Sequence, residues 1–199
     1  MDAPRDALYF VTDIEASGFR PGINSMLSFA TVAVTGNGAE RGRFEAVLDE
    51  LPGATWDPGT RAWFENDQPE ALAAATTGAR DPAEVITAFV AWVRGFPGPR
   101  VFTAHPLAYD GQWVDHYLRT FADLPLVCSL YDDDPLFHDT LCLRSYAAAV
   151  TGRYVGEVSP ASLPAEWFGD VPHTHRAVDD ALGYAHLLAE LFRQSRSRS

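Results

Sequence analysis

The chain contains no lysine. All 15 of its basic residues are arginine, set against 27 aspartates and glutamates, which leaves a formal net charge of −12 and a pI near 4.7. Such a chain does not coat duplex DNA through a basic face, because that mode of binding rests on many cationic contacts to phosphate. It can still handle a short single strand through few phosphate contacts, or carry metal ions that reverse the local field. Arginine, where it occurs, suits bidentate contacts to phosphate. Cysteine is scarce as well. Cys128 and Cys142 make no disulfide framework and lack the spacing of zinc ligands, so both read as buried free thiols. No apolar run approaches the length needed to cross a bilayer. The opening residues MDAPRDALYF lack the basic start and long apolar stretch of a signal peptide, and these absences lead to the expectation of a soluble cytoplasmic protein.

What remains is 199 residues, 47% hydrophobic, enough for one domain with a proper core. Residues 8–12 form a short apolar run ending at Asp13, and residues 26–35 (MLSFATVAVT) read as a second strand. The turn Gly36-Asn37-Gly38 reverses the chain into a third strand over 41–48. Helices are expected from Asp57-Pro58 (carrying Trp63 and Phe64), over the alanine-rich stretch 68–77, and from Asp81-Pro82 to about Gly95. A fourth strand at 100–104, a helix over about 110–121, a fifth strand at 126–130 and a helix at 141–150 follow. A loop-rich stretch at 152–173 leads to a final amphipathic helix at 177–192. Three antiparallel strands, then helices alternating with single strands, describe an α/β fold with a mixed five-stranded sheet flanked by helices. One domain is expected over residues 1–192, with a disordered polar tail at 193–199.

Four carboxylates and a histidine stand at the edges of these apolar runs. Asp13 and Glu15, two apart on a strand, point to the same face. At 100° per residue Asp110 lies on the apolar stripe of Val114, Tyr117 and Phe121, whereas Asp115 falls with Gln112 and Arg119 as an exposed i,i+4 pair. Asp180 shares an inward stripe with Tyr184, Leu187 and Leu191, while Asp179 shares a solvated one with His186, Glu190 and Arg193. His175 is five residues before Asp180 and belongs in the preceding loop, where a histidine suits a general base. His173 reads as a solvated loop residue. Clustered carboxylates repel one another and lose hydration, so they persist only around a cation, and hard divalent ions favour oxygen ligands. Two such ions roughly 4 Å apart can activate water and hold a departing oxyanion. In that arrangement Asp13 bridges the ions, Glu15, Asp110 and Asp180 complete their coordination, and His175 takes the proton of the water. The expectation is a metal-dependent phosphodiesterase.

The set D-x-E, then Y-D before a helix, then H-x-x-x-x-D resembles the DEDDh 3′–5′ exonucleases, the DnaQ-like branch of the ribonuclease H-like superfamily, over about residues 8–192. The resemblance implies a ribonuclease H-like sheet, two Mg²⁺ or Mn²⁺ ions on Asp13, Glu15, Asp110 and Asp180, and His175 as general base. It implies release of nucleoside 5′-monophosphates from the 3′ ends of single-stranded RNA or DNA. RNA is slightly favoured, because WDPGTRAWF is similar to a segment of small exoribonucleases and exonuclease VIII-like members. Ala16, Ser17, Gly18 and Phe19 follow the acidic pair where the family places backbone contacts and an apolar wedge, and Trp63 and Tyr109 join them as expected substrate contacts. A homodimer is common among similar enzymes, though no interface is legible here. The motif H-N-A-x-F-D of many relatives is replaced by His105-Pro106-Leu107-Ala108-Tyr109-Asp110, so a substrate-binding asparagine is missing. Three alternatives share the fold: a proofreading or repair DNA exonuclease, a ribonuclease H-type endonuclease, and a non-catalytic nucleic-acid-binding module.

Overall fold

A computed structural model describes residues 7–126 and 134–197. Two strands form the buried centre of the sheet: β1 (Leu8–Ala16) and β2 (Met26–Thr35), antiparallel and buried along almost their whole length. Their near-continuous apolar and β-branched runs suit a sheet covered on both faces. β3 (Glu40–Val47) pairs only with β2, and its exposed charges mark an edge strand. On the other side of β1 lie β4 (Arg100–Ala104) and β5 (Asp139–Cys142), both parallel, giving the order β3-β2-β1-β4-β5.

Helices cover both faces. α1 (Pro58–Asp67), α2 (Pro69–Thr76) and α3 (Pro82–Arg94) each carry proline in the first turn, and the side chains of Asp57 and Asp81 cap α1 and α3. α4 (Leu107–Ala122), α5 (Leu143–Thr151) and α6 (Ala177–Ser197) complete the set among the described residues. Side chains alternate along β1 between two cores. Phe10 and Ile14 pack with Phe29, Phe89 and Trp113 on the side of α3 and α4. Val11 packs with Val32, Leu187, Leu188 and Leu191 on the side of α6. Asp13 and Glu15 have the parity of Val11, so they face α6. Each fully buried leucine contributes roughly 1.5–3 kcal/mol. The three on α6 together match the several kcal/mol that burying one carboxylate costs, so they set the helix rotation that holds Asp180 inward.

β1 carries both Asp13 and Glu15, as their expected placement on one strand face requires, because Ile14 and Ala16 extend its buried face. The structure departs from the sequence reading elsewhere. The strand that pairs with β4 is Asp139–Cys142, and residues 127–130 of the stretch expected as a fifth strand lie outside the described residues. That strand is only four residues long and half-buried, and pairing with β4 rather than its own pattern defines it. The stretch 152–173 contains three short 3₁₀ turns. The polar residues from Arg193 to Ser197 are helical rather than a disordered tail, since α6 meets no breaker and Glu190 accepts hydrogen bonds from both Arg193 and Gln194. Cys142 is a free, half-buried thiol, and Cys128 lies outside the described residues.

Candidate active site

The C-terminal ends of parallel strands are where open α/β sheets form clefts. Here β1 and β4 end together, and the first turns of α4 and α6 arrive beside them. β1 supplies Asp13 and Glu15, α4 supplies Asp110, and α6 supplies Asp180. Carboxylate oxygens of Asp13, Glu15 and Asp180 all lie within 4.8 Å of one another. Asp110 lines the same cavity, of about 440 Å³, without belonging to that tight group. Because α4 starts at Leu107, Asp110 sits inside its first turn instead of capping it. Its Oδ2 is buried and has no hydrogen-bond partner.

Electrostatics make this cluster costly. Two carboxylates at such a separation repel by roughly 3–4 kcal/mol at the effective dielectric of a protein. Burial raises Asp13 well above the ordinary carboxylate range, and the charges of Asp110, Glu15 and Asp180 raise it further. Glu15 is raised by burial and then by Asp180 and Asp110. Burial pushes Asp110 up to about 8, against the opposing pull of its own backbone N–H and that of Ile14. No arginine lines the cavity among the described residues, and the chain has no lysine to offer. An all-oxygen donor set, an orphaned carboxylate oxygen and no neighbouring cationic arm fit a divalent cation.

His175 lies in the loop before α6, with a left-handed backbone (φ 55°) and its ring edge-on to Trp63 at 5.0 Å. Burial and the neighbouring His173 hold its pKa below the usual value, while Asp180 opposes them. His173 is the exposed loop residue expected, yet it also reaches into the site. Its Nδ1 donates to Asp180 Oδ1 at 2.8 Å, a bond that raises the imidazole pKa, and the two histidine rings are 4.5 Å apart.

Of the expected substrate contacts, Ala16, Phe19, Trp63 and Tyr109 line the cavity, and Phe19 is 62% exposed at its rim. Ser17 and Gly18 do not line it. Ser17 is buried, accepting from Ser25 N–H at its Oγ, and the Gly18 carbonyl accepts from Tyr109 Oη. These two residues are consumed in holding the loop. Among the lining residues that escaped the sequence reading are His105 and Tyr184, whose rings stack at 4.9 Å. Burial drives His105 down to about 4, so it is a neutral imidazole, and its Nε2 has no partner. Tyr184 follows Asp180 by one helical turn and was legible only as core.

No protein-family sequence model matches the chain, and no curated protein matches it by sequence. Solved structures do match. A 3′-exonuclease in 3′-end-specific recognition of a histone mRNA stem-loop superposes with a TM-score of 0.69 at 10% identity, over 96% of this chain and 84% of that one. The nuclease domain of 3′hExo, a DEDDh family member bound to rAMP, gives 0.64 at 9% identity over 97% and 94%. This chain has the DEDDh 3′-exonuclease fold. The zinc-bound E. coli ExoI–ssDNA complex gives 0.58 at 15% identity, covering 96% of this chain and 41% of that larger one. The mixed sheet is therefore ribonuclease H-like, as the sequence motifs led one to expect.

Proposed function

We propose that the chain is a divalent-metal-dependent 3′–5′ exonuclease that releases nucleoside 5′-monophosphates from single-stranded ends. The observation that carries this reading is the meeting of Asp13, Glu15 and Asp180 within 4.8 Å in a cavity also lined by Asp110 and His175. Asp13, Glu15, Asp110 and Asp180 would hold the divalent ions. When bound, Mg²⁺ or Mn²⁺ supplies Lewis acidity that makes water a nucleophile near neutral pH and stabilises the departing 3′-oxygen. His175 accepts the proton of the attacking water as the new P–O bond forms and the bond to the 3′-oxygen breaks. Its lowered pKa keeps the imidazole neutral, and so able to accept a proton, at pH 7. Phe19 at the rim and Trp63 and Tyr109 in the wall offer apolar faces to a frayed terminal base, a contact indifferent to sequence.

RNA is the favoured substrate, since two of the structural neighbours carry an mRNA stem-loop and rAMP, with DNA as the alternative that the ssDNA-bound neighbour suggests. No helix among the described residues is long and apolar enough to cross a membrane, and we place the enzyme with its substrates in the cytoplasm. The test is digestion of labelled linear oligo-RNA and oligo-DNA beside closed circular single strands, with Mg²⁺, Mn²⁺ or chelator. Linear strands should shorten from the 3′ end only with metal, circles should survive, and Asp13→Asn should abolish the activity. Cleavage of circles, or hydrolysis by the Asp13 variant at the native rate, overturns the reading.

A further inference from the structure

The loop before α6 carries more metal-binding chemistry than hydrolysis needs. His173, His175 and Asp180 each present a ligand atom, and all three lie within 4.8 Å of one another. His173 Nδ1 and Asp180 Oδ1 are already 2.8 Å apart. Two atoms bound to one tetrahedral Zn²⁺ at the usual 2.0–2.1 Å are separated by about 3.3 Å, so this pair needs little adjustment to share an ion. The local chain explains the convergence. The segment His173-Thr174-His175 presents its two imidazoles from alternate residues, and Asp180 comes from the first helical turn, held there by the buried stripe of α6. Trp63 packs edge-on against His175, and Thr174 N–H donates to Asp180 Oδ1, so two of the three ligands are braced from outside. The His173 side chain remains 43% exposed, which leaves an ion a route in from solvent and water to complete its coordination.

The donor set differs in kind from the neighbouring one. Asp13, Glu15 and Asp180 offer only oxygen, which suits Mg²⁺ or Mn²⁺. Two imidazoles and a carboxylate suit Zn²⁺. We propose that His173, His175 and Asp180 form a Zn²⁺ site that overlaps the carboxylate centre through Asp180 and makes Zn²⁺ an inhibitor. Zinc binding stands on the ligand geometry by itself, whereas inhibition rests on the exonuclease reading. On that reading, Zn²⁺ occupies the imidazole lone pair that His175 uses to accept a proton and draws Asp180 away from the all-oxygen group.

The test separates these two layers. The metal-free full chain, wild type and the variants His173→Ala and Asp13→Asn, is titrated with Zn²⁺ and separately with Mn²⁺ by calorimetry, with Co²⁺ absorption as a spectroscopic substitute for Zn²⁺. Circular dichroism verifies that each variant is folded. Wild type should bind one Zn²⁺ at this site and give Co²⁺ ligand-field bands. His173→Ala should weaken Zn²⁺ at least about tenfold and lose those bands. Asp13→Asn should weaken Mn²⁺ while keeping Zn²⁺. Equal Zn²⁺ affinity in wild type and His173→Ala, or parallel loss of both metals in Asp13→Asn, places zinc among the carboxylates and overturns the proposal. Zn²⁺ added to Mg²⁺-supported digestion should stop wild type at concentrations at which His173→Ala retains its own zinc-free rate. A chain that binds zinc as described and never cleaves nucleic acid leaves the site standing and removes only the function.

Discussion

Asp179 and Asp180 are adjacent in sequence and opposite in circumstance. Asp179 is half-buried, accepting from Thr174 Oγ1 and lying 3.8 Å from Arg176, while Asp180 is buried among the carboxylates. One residue along a helix is 100° of rotation, and that rotation separates a loop tie from a proposed metal ligand. His175 shows the same economy of position, since it reaches the cavity from the loop before α6 with its ring against Trp63. Replacing it by alanine removes a proton acceptor and no carboxylate. His175→Ala should therefore lower kcat by about 10²–10⁴-fold, while Mn²⁺ affinity measured by calorimetry stays at the wild-type value. Its lowered pKa fixes the sign of the pH profile. Wild-type activity should fall only as pH drops through a value below the ordinary imidazole value of about 6.5, and the variant should lack that limb. A variant that loses metal affinity but keeps its saturated turnover removes His175 from the role of base.

The loop between β1 and β2 is the element that presents Phe19, and Asn24 is one of the side chains that hold it. Asn24 accepts from Arg20 N–H and donates to the Thr55 carbonyl, with its amide lying directly over Gly18. A Cβ on Gly18 would come 2.5 Å from Asn24 Cγ, so Gly18→Ala must displace the amide and both of its bonds. The expected cost is roughly 1–3 kcal/mol of stability, read as a lowered thermal midpoint, with KM for oligonucleotide raised and kcat nearly kept. A variant with unchanged KM and midpoint refutes this account of the loop. Neither this tie nor the seat of Ser17 was legible in the sequence, because both depend on Thr55 and Ser25, partners that no periodicity identifies. The carboxylate placements were legible, because strand parity and helical rotation decide them locally. β5 was not, since Asp139–Cys142 becomes a strand through its parallel register with β4. His173 was passed over for the same reason, its role coming from a carboxylate seven residues away.

At the scale of the whole molecule, a net charge of −12 and a knot of buried carboxylates both make the metal-free protein less stable as pH rises. The sign follows from Asp110. Its folded pKa of about 8 exceeds the unfolded value of about 3.9, so between those values the folded chain binds a proton that the unfolded chain has released. Its stabilising contribution is complete below about pH 4 and is lost as pH climbs through about 8. In chelator the thermal midpoint should thus fall between pH 5 and 8.5. General self-repulsion predicts the same direction, so the midpoint of wild type alone does not separate the two causes. Asp110→Asn does, because it changes the net charge by one and removes one buried titration of the cluster. Its midpoint in chelator should exceed that of wild type at pH 8.5 and converge with it toward pH 4. Mn²⁺ at about a hundred times its dissociation constant should raise the wild-type midpoint by about 5–10 °C at pH 8, and by less at pH 5, where protons compete for the same oxygens. A metal-induced shift equal at both pH values, with Asp110→Asn tracking wild type throughout, means that the carboxylates are not the seat of the cation and that the stability profile belongs to surface charge alone.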